Sequence, residues 1–389
     1  MEPLKDILVK CEEISFDLNF TKAKEWKSQD DKRVIVGNMP IYFPHEIVHA
    51  ANGLPVGILG GGDKKQIIRG DAYYQSYICH MPRSIMELAL DGHFEGFDGF
   101  IFPSICDVIR NLSGMFRLIG KGKFVKYLDY PQNFKSHIGG EFYEKELQHV
   151  LDEIYKINHV KVTPERLNNS IRLFNKNRRL INKIYDVRQE YPWRLTAADV
   201  YHVVRAGYMI PVEEHNQILE NVISYISEDI GDNLDKIKVM VIGAFCEQPP
   251  VGLIKTIENA GCYIVEDDFL LGARWIQKDI DEVNSQEQLL STISSAYINN
   301  STFSSSVYDV DNPKESRLLD LMKHRKVDGV IFAAPSFCDP ALLDHPVLQK
   351  ACDDKNARYI SFLFSEITGQ FKVIKEQVGT FSDSIKLWD

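Results

Sequence analysis

The sequence has no apolar run long enough to cross a bilayer, and its longest apolar stretches, such as "KVMVIGAF" from Lys238, are strand-sized. It opens on "MEPLKDILVKCEEISF", with acidic residues early and no apolar signal core. It lacks a G-x-x-x-x-G-K-[ST] phosphate loop, so it is not expected to bind ATP. It has no C-x-x-C pair, which disfavours a zinc ribbon or a ferredoxin loop. Basic residues are in deficit, 45 against 55 acidic, for a net charge of −10. Broad binding to nucleic acid or to an anionic membrane is therefore disfavoured. Together these absences lead us to expect a cytoplasmic protein that binds neither.

Cysteine is also scarce. The seven present are an odd number, widely spaced, and no disulfide framework is expected of them. Three roles remain: buried packing, a catalytic thiol, or thiolates on metal.

The chain has 389 residues, 44% of them apolar, which is too long for one typical domain and ample for a packed core. Residues 1–139 alternate strand-like runs ("RVIVGNMP", "LPVGILGGG", "DGFIFP", "KFVKYLDYP") with helical patterns, the pattern of a parallel sheet covered on both faces. One helix is expected at "HEIVHAANG", closed by Gly53. Residues 140–235 carry helical spacing almost throughout, with breaks at Pro192 and Pro211, and form a connecting segment. Strand–helix alternation resumes over 236–389, giving a second α/β domain.

One phrase is written twice. "DGFIFPSICD" starts at Asp98 and "DGVIFAAPSFCD" at Asp328, once in each α/β region. Each runs from Asp-Gly through a strand to Pro-Ser and a cysteine. Each then meets an aspartate, a favoured N-cap, and a helix. Cys106 and Cys338 should therefore stand where a strand ends and a helix begins, the edge at which open α/β sheets bind ligands. A helix N-terminus lowers a thiol's pKa and favours thiolate. Cys79 and Cys246 also precede helical patterns and prolines. Cys11, Cys262 and Cys352 do not, and are assigned to packing. That leaves up to four thiols at similar edges of two domains, suited to an iron–sulfur cluster or zinc gripped between them. A catalytic pair of Cys79 with the adjoining His80 is disfavoured, because chain neighbours rarely hydrogen-bond as nucleophile and base.

The stretches "MPIYFPHEIVHAANGLPVGILGGGD", "GDAYYQSYICHMPRS", "FPSICDVIRNLSGMF", "PVEEHN", "FCEQPP", "GVIFAAPSFCDPALLD" and "GTFSDSIKLW" span nearly the whole chain in order. Through them the chain resembles the benzoyl-CoA reductase and 2-hydroxyacyl-CoA dehydratase family, with its nearest likeness to the smaller, cluster-carrying gamma subunit of the ATP-dependent reductase. The resemblance implies two flavodoxin-like α/β domains joined by a helical segment, with an iron–sulfur cluster between them. It implies a [4Fe–4S] cluster on Cys79, Cys106 and Cys338, with Cys246 not a ligand. The fourth iron then takes either a substrate carbonyl or a bridge to a second cubane, and both stay open.

The resemblance further implies a larger homologous subunit, a two-subunit ATPase carrying its own cluster, ferredoxin as electron donor, and an aromatic acyl-CoA substrate reduced to a cyclic dienoyl-CoA. The alternatives are membership of a 2-hydroxyacyl-CoA dehydratase and a scaffold whose partner holds the substrate. The glycine run from Gly57 to Asp63 matches no nucleotide fingerprint and reads as a tight turn. "EEHN" around Glu213 reads as a cap or solvated face. His45 and His49, one helical turn apart, read as packing rather than as metal ligands.

Overall fold

The structure, a computed structural model, describes residues 3–226, 232–244, 249–302, 308–365 and 370–388. It contains two four-stranded parallel sheets with helices against their faces, an α/β fold. The first sheet is built from β1 (Val34–Asn38), β2 (Gly53–Gly57), β3 (Gly99–Pro103) and β4 (Phe124–Leu128). The second is built from β5 (Ile237–Ile242), β6 (Cys262–Asp267), β7 (Gly329–Pro335) and β8 (Tyr359–Phe364). The spatial orders are β2-β1-β3-β4 and β6-β5-β7-β8, so the two sheets share one topology. In each, the chain reverses its direction of growth between the first and third strands, which is the switch point where such sheets place ligands.

The repeated phrase is the third strand of each sheet, and its letters have matching jobs. The Asp98 carboxylate accepts from the Ile35 N–H at 2.7 Å, and the Asp328 carboxylate from the Lys238 N–H at 2.6 Å. Each aspartate thus ties the start of a third strand to the second residue of a first strand. A Cβ on Gly99 would run into the Phe124 ring, and one on Gly329 into the Phe381 ring. Pro103 and Pro335 are the last residues of their strands. Ser104 N–H then donates to the Leu128 carbonyl at 2.9 Å, and Ser336 N–H to the Phe364 carbonyl at 2.8 Å. The same bonds close the same corner twice, and each corner releases a cysteine.

Four helices, Glu141–Asn158, Pro164–Glu190, Ala197–Ala206 and Val212–Ile226, lie between the sheets in sequence. The Pro164–Glu190 helix touches both halves. Its Arg178 pairs with buried Glu46 beside the first sheet. Its Arg188 pairs with buried Asp267 at the end of β6 at 2.7 Å, and Tyr185 donates to the same carboxylate at 2.9 Å. Glu266 adds a bond from Arg325 at 2.7 Å and a pair with Arg274. Buried pairs of this kind fix geometry more than they add stability, because desolvation offsets most of their attraction. Here they fix one long helix against both sheets. One expected element ends early: the helix at His45 runs His45–Ala50, Asn52 takes the left-handed turn at φ 63°, and Gly53 opens β2 instead of closing the helix. No helix among the described residues is long and apolar enough to cross a membrane.

Candidate functional site

Cys79, Cys106 and Cys338 each stand immediately before the first residue of a helix: His80–Leu90, Asp107–Ile119 and Asp339–Asp354. Cys106 and Cys338 follow the third strands, next to the two switch points. Cys79 and Cys338 are buried, and Cys106 is half-buried. Charge on Cys79 and Cys106 bears on the Tyr74 hydroxyl, and charge on Cys338 bears on Cys106.

Sequence reasoning predicted lowered thiol pKa values at these helix starts, and for Cys106 the balance runs the other way. Burial is the largest influence and pushes its thiol up. The Val108 and Ile109 N–H groups oppose that shift, although no capping hydrogen bond is formed. A metal that binds a protonated thiol displaces its proton and keeps the sulfur as ligand.

The donor set fits a thiolate-bound cluster. Three thiols are soft donors of the kind an iron–sulfur cluster takes, and among the described residues no three His, Cys, Asp or Glu side chains gather closely enough to hold a metal ion. A second sign of fit is Tyr74. Its Oη is buried and has no hydrogen-bond partner among the described residues, a costly state for a hydroxyl in the protein alone. Burial, and then the two cysteines, raise its pKa, so it stays a neutral donor. An acceptor such as a cluster sulfur would satisfy it.

Sequence reasoning missed Tyr74 and the groups that hold it. The carboxylate of buried Glu87 accepts from the N–H groups of Ile68, Arg69 and Gly70 at 2.9, 2.7 and 2.7 Å. Burial opposes ionisation there, but these bonds outweigh it and hold the carboxyl below its ordinary range. Glu87 lies on the helix that Cys79 precedes, so the clamp fixes the segment leading to Tyr74 against that helix. Gly70 is required at this contact, because a Cβ would meet the Arg83 carbonyl oxygen. The glycine run serves the same helix. Gly60 and Gly62 have positive φ, and the Gly61 N–H donates to Ser84 Oγ at 2.8 Å. That N–H is spent inside the protein rather than offered to a phosphate.

The other candidates have structural partners. His45 Nε2 meets Asn38 Oδ1 at 2.9 Å, and His49 Nε2 meets Glu213 Oε1 at 3.1 Å, so the two histidines do not converge. His215 lies between the Asn177 amide and the Val203 carbonyl, each at 2.9 Å. Burial lowers the pKa of both His45 and His215 to about 4. Cys11, Cys262 and Cys352 are buried in the hydrophobic cores. Burial raises Cys262 to about 12 and Cys352 to about 11. Cys246 lies outside the described residues.

Apolar side chains are exposed next to the cysteines in sequence. Tyr73 and Tyr77 flank the loop before Cys79. Phe337 adjoins Cys338, is 53% exposed, and holds a left-handed backbone at φ 65°. That conformation is strained for a bulky residue.

The chain matches the family model described as 2-hydroxyglutaryl-CoA dehydratase, D-component, over residues 40–385. It is 45% identical to the C subunit of benzoyl-CoA reductase from Thauera aromatica over 384 residues, covering 98% of this chain and 99% of that one. It is 26% identical to the beta subunit of (R)-2-hydroxyglutaryl-CoA dehydratase from Acidaminococcus fermentans, covering 94% of this chain and 95% of that one. It is also 26% identical to the beta subunit of lactoyl-CoA dehydratase from Anaerotignum propionicum, covering 97% of this chain and all of that one (100%).

Proposed function

Because the chain belongs to the 2-hydroxyglutaryl-CoA dehydratase D-component family, we propose that it is the cluster-carrying subunit of an ATP-dependent aromatic acyl-CoA reductase. The observation that carries this reading is the 45% identity to the C subunit of a benzoyl-CoA reductase over almost the full length of both chains. The three-cysteine site supplies a physical basis for it.

In this proposal Cys79, Cys106 and Cys338 hold one [4Fe–4S] cluster. When bound, that cluster supplies electrons singly at low potential, the chemistry that reduction of an aromatic thioester to a cyclic dienoyl-CoA requires. The protein's own groups do the rest. Cys79 and Cys338 present sulfur from buried positions, so water is kept from that side of the site. The Glu87 clamp holds the segment leading to Tyr74, whose hydroxyl would donate a hydrogen bond to a cluster sulfur. The long Pro164–Glu190 helix holds the two sheets, and hence Cys106 and Cys338, at a fixed separation.

The family resemblance implies the partners. The chain has no phosphate loop, and the proposal assigns the driving of the electron to a separate two-subunit ATPase with its own cluster, fed by ferredoxin. The exposed Tyr73, Tyr77 and Phe337 beside the cysteines suit a larger homologous subunit that closes over them, with the substrate between the two.

The dehydratase relatives support a second reading, in which the chain is part of a 2-hydroxyacyl-CoA dehydratase. A dehydratase recycles its electron and a reductase consumes it. The test is the assembled complex with benzoyl-CoA, a low-potential donor and ATP. Dienoyl-CoA formed with ATP consumed in proportion supports the reductase. Dehydration of a 2-hydroxyacyl-CoA on catalytic ATP replaces it with the second reading.

A further inference from the structure

A cleft in the second α/β unit is not used by the cysteine site. It lies at the carboxyl edge of β5 and β6, beneath the Lys314–Arg325 and Asp339–Asp354 helices, and encloses about 110 Å³. Acids and bases both line it, but nearly all are already paired. Glu266 is held by Arg274 and Arg325, Asp267 by Arg188 and Tyr185, and Asp344 by Lys314 at 2.9 Å. The fourth acid, Asp268, accepts from the Gly243 and Ala244 N–H groups at 2.8 and 3.0 Å, and burial raises its pKa to about 7.

Two groups are left over. Arg317 makes no hydrogen bond or ion pair among the described residues, and burial followed by repulsion from Arg274 lowers its pKa, against the opposing pull of Glu266. It is a desolvated cation whose nearest opposite charge is already held by Arg274 and Arg325. Thr302 lines the same cleft and is only 3% exposed, and its Oγ1 has no partner among the described residues. The placement of the cations is also unusual. Lys314 and Arg317 fall in the first turn of a 12-residue helix, where the helix dipole disfavours positive charge and favours an anion. Glu315 in that turn suits the dipole but does not line the cleft.

We propose that this cleft binds a phosphoryl oxyanion, held by the Thr302 hydroxyl, the Arg317 guanidinium and the first turn of the Lys314–Arg325 helix. A guanidinium fork, a hydroxyl and helix N–H groups together match an anion with several acceptor oxygens. The cleft is far smaller than the roughly 300 Å³ of a small-molecule pocket, so it takes one phosphoryl group and not a whole cofactor. The source is either a phosphate of a CoA thioester or free inorganic phosphate. Only the CoA source rests on the proposed function; the oxyanion site stands on these residues alone.

The experiment is calorimetric titration of the anaerobically purified full chain with inorganic phosphate, CoA and dephospho-CoA in turn. Wild type should bind phosphate or CoA, and T302V and R317A should each weaken that binding at least tenfold. CoA binding tighter than phosphate assigns the thioester, with dephospho-CoA reporting whether the 3′-phosphate is the group held. Phosphate binding without CoA binding assigns the free ion. T302V is close to isosteric and keeps the test decisive if R317A fails to fold. The proposal is overturned if wild type binds neither phosphate nor CoA, or if T302V binds as wild type does. No turnover is involved, so failure of the reductase assay leaves this result standing, and the reverse also holds.

Discussion

Cys106 and Cys338 occupy the same place in two copies of one topology. Each precedes the helix that leaves the third strand of its sheet, and charge on Cys338 bears on the Cys106 thiol. Each switch point thus carries one cysteine at a helix start, and Cys79 stands at the start of another helix.

The corners that deliver those sulfurs depend on the paired aspartates. Asp98→Ala removes the acceptor of the Ile35 N–H and the 2.7 Å bond to Lys27. Asp328→Ala removes the acceptor of the Lys238 N–H. Each should lower stability by about 1–3 kcal/mol, the cost of leaving a strand-start N–H unsatisfied. Denaturant unfolding of the two variants measures this, and a loss too small to resolve in both removes the aspartates from the account.

Tyr74→Phe deletes the one buried hydroxyl that both Cys79 and Cys106 influence among the described residues. Hydrogen bonds to cluster sulfurs raise reduction potential. The variant should therefore keep its iron and show a more negative midpoint potential in an EPR-monitored redox titration. An unchanged potential means that the hydroxyl does not meet the sulfurs.

Much of this was legible in the sequence, because both the fold class and the repeated phrase are local signals. Short apolar runs and helical patterns marked the alternation of strands and helices, and Asp-Pro after Cys338 marked a helix start. The shared strand order was not legible, since it depends on which strands pair across the sheet. Tyr74 and Glu87 were missed for a related reason. Glu87 is significant only because its carboxylate meets N–H groups 17 to 19 residues away, and no spacing rule announces that contact. The Cys106 pKa was misjudged because the helix start is visible in the sequence while the burial that outweighs it is not.

Acid should weaken the attachment of Arg274 and Arg325 to the end of β6. Burial opposes ionisation of Glu266, but Arg274 first and then Arg325 hold its carboxyl down, from 4.5 to about 2. A folded pKa below the unfolded value contributes stability above pH 4.5 that is lost as pH falls toward 2, on the order of 3 kcal/mol in full. Asp268 and Glu258, both raised to about 7 by burial, act with the opposite sign. Comparison with Glu266→Gln isolates this carboxylate: wild type should lose more stability than the variant between pH 4.5 and 2. Parallel curves over that range contradict the assignment.

Cys246 follows β5 in sequence as Cys106 follows β3, yet the family resemblance argues against it as a ligand. Cys246→Ser should retain full cluster iron. Iron loss equal to that of Cys79→Ala would make it a ligand and reopen the choice of three.

The central claim is that Cys79, Cys106 and Cys338 hold one cubane, and iron and sulfide analysis of anaerobically purified Cys106→Ala beside wild type tests it most directly. Wild type should carry about four irons and four sulfides per chain, and Cys106→Ala should lose most or all of them while Cys352→Ala keeps them. Full iron and an unchanged cluster spectrum in Cys106→Ala would contradict the account.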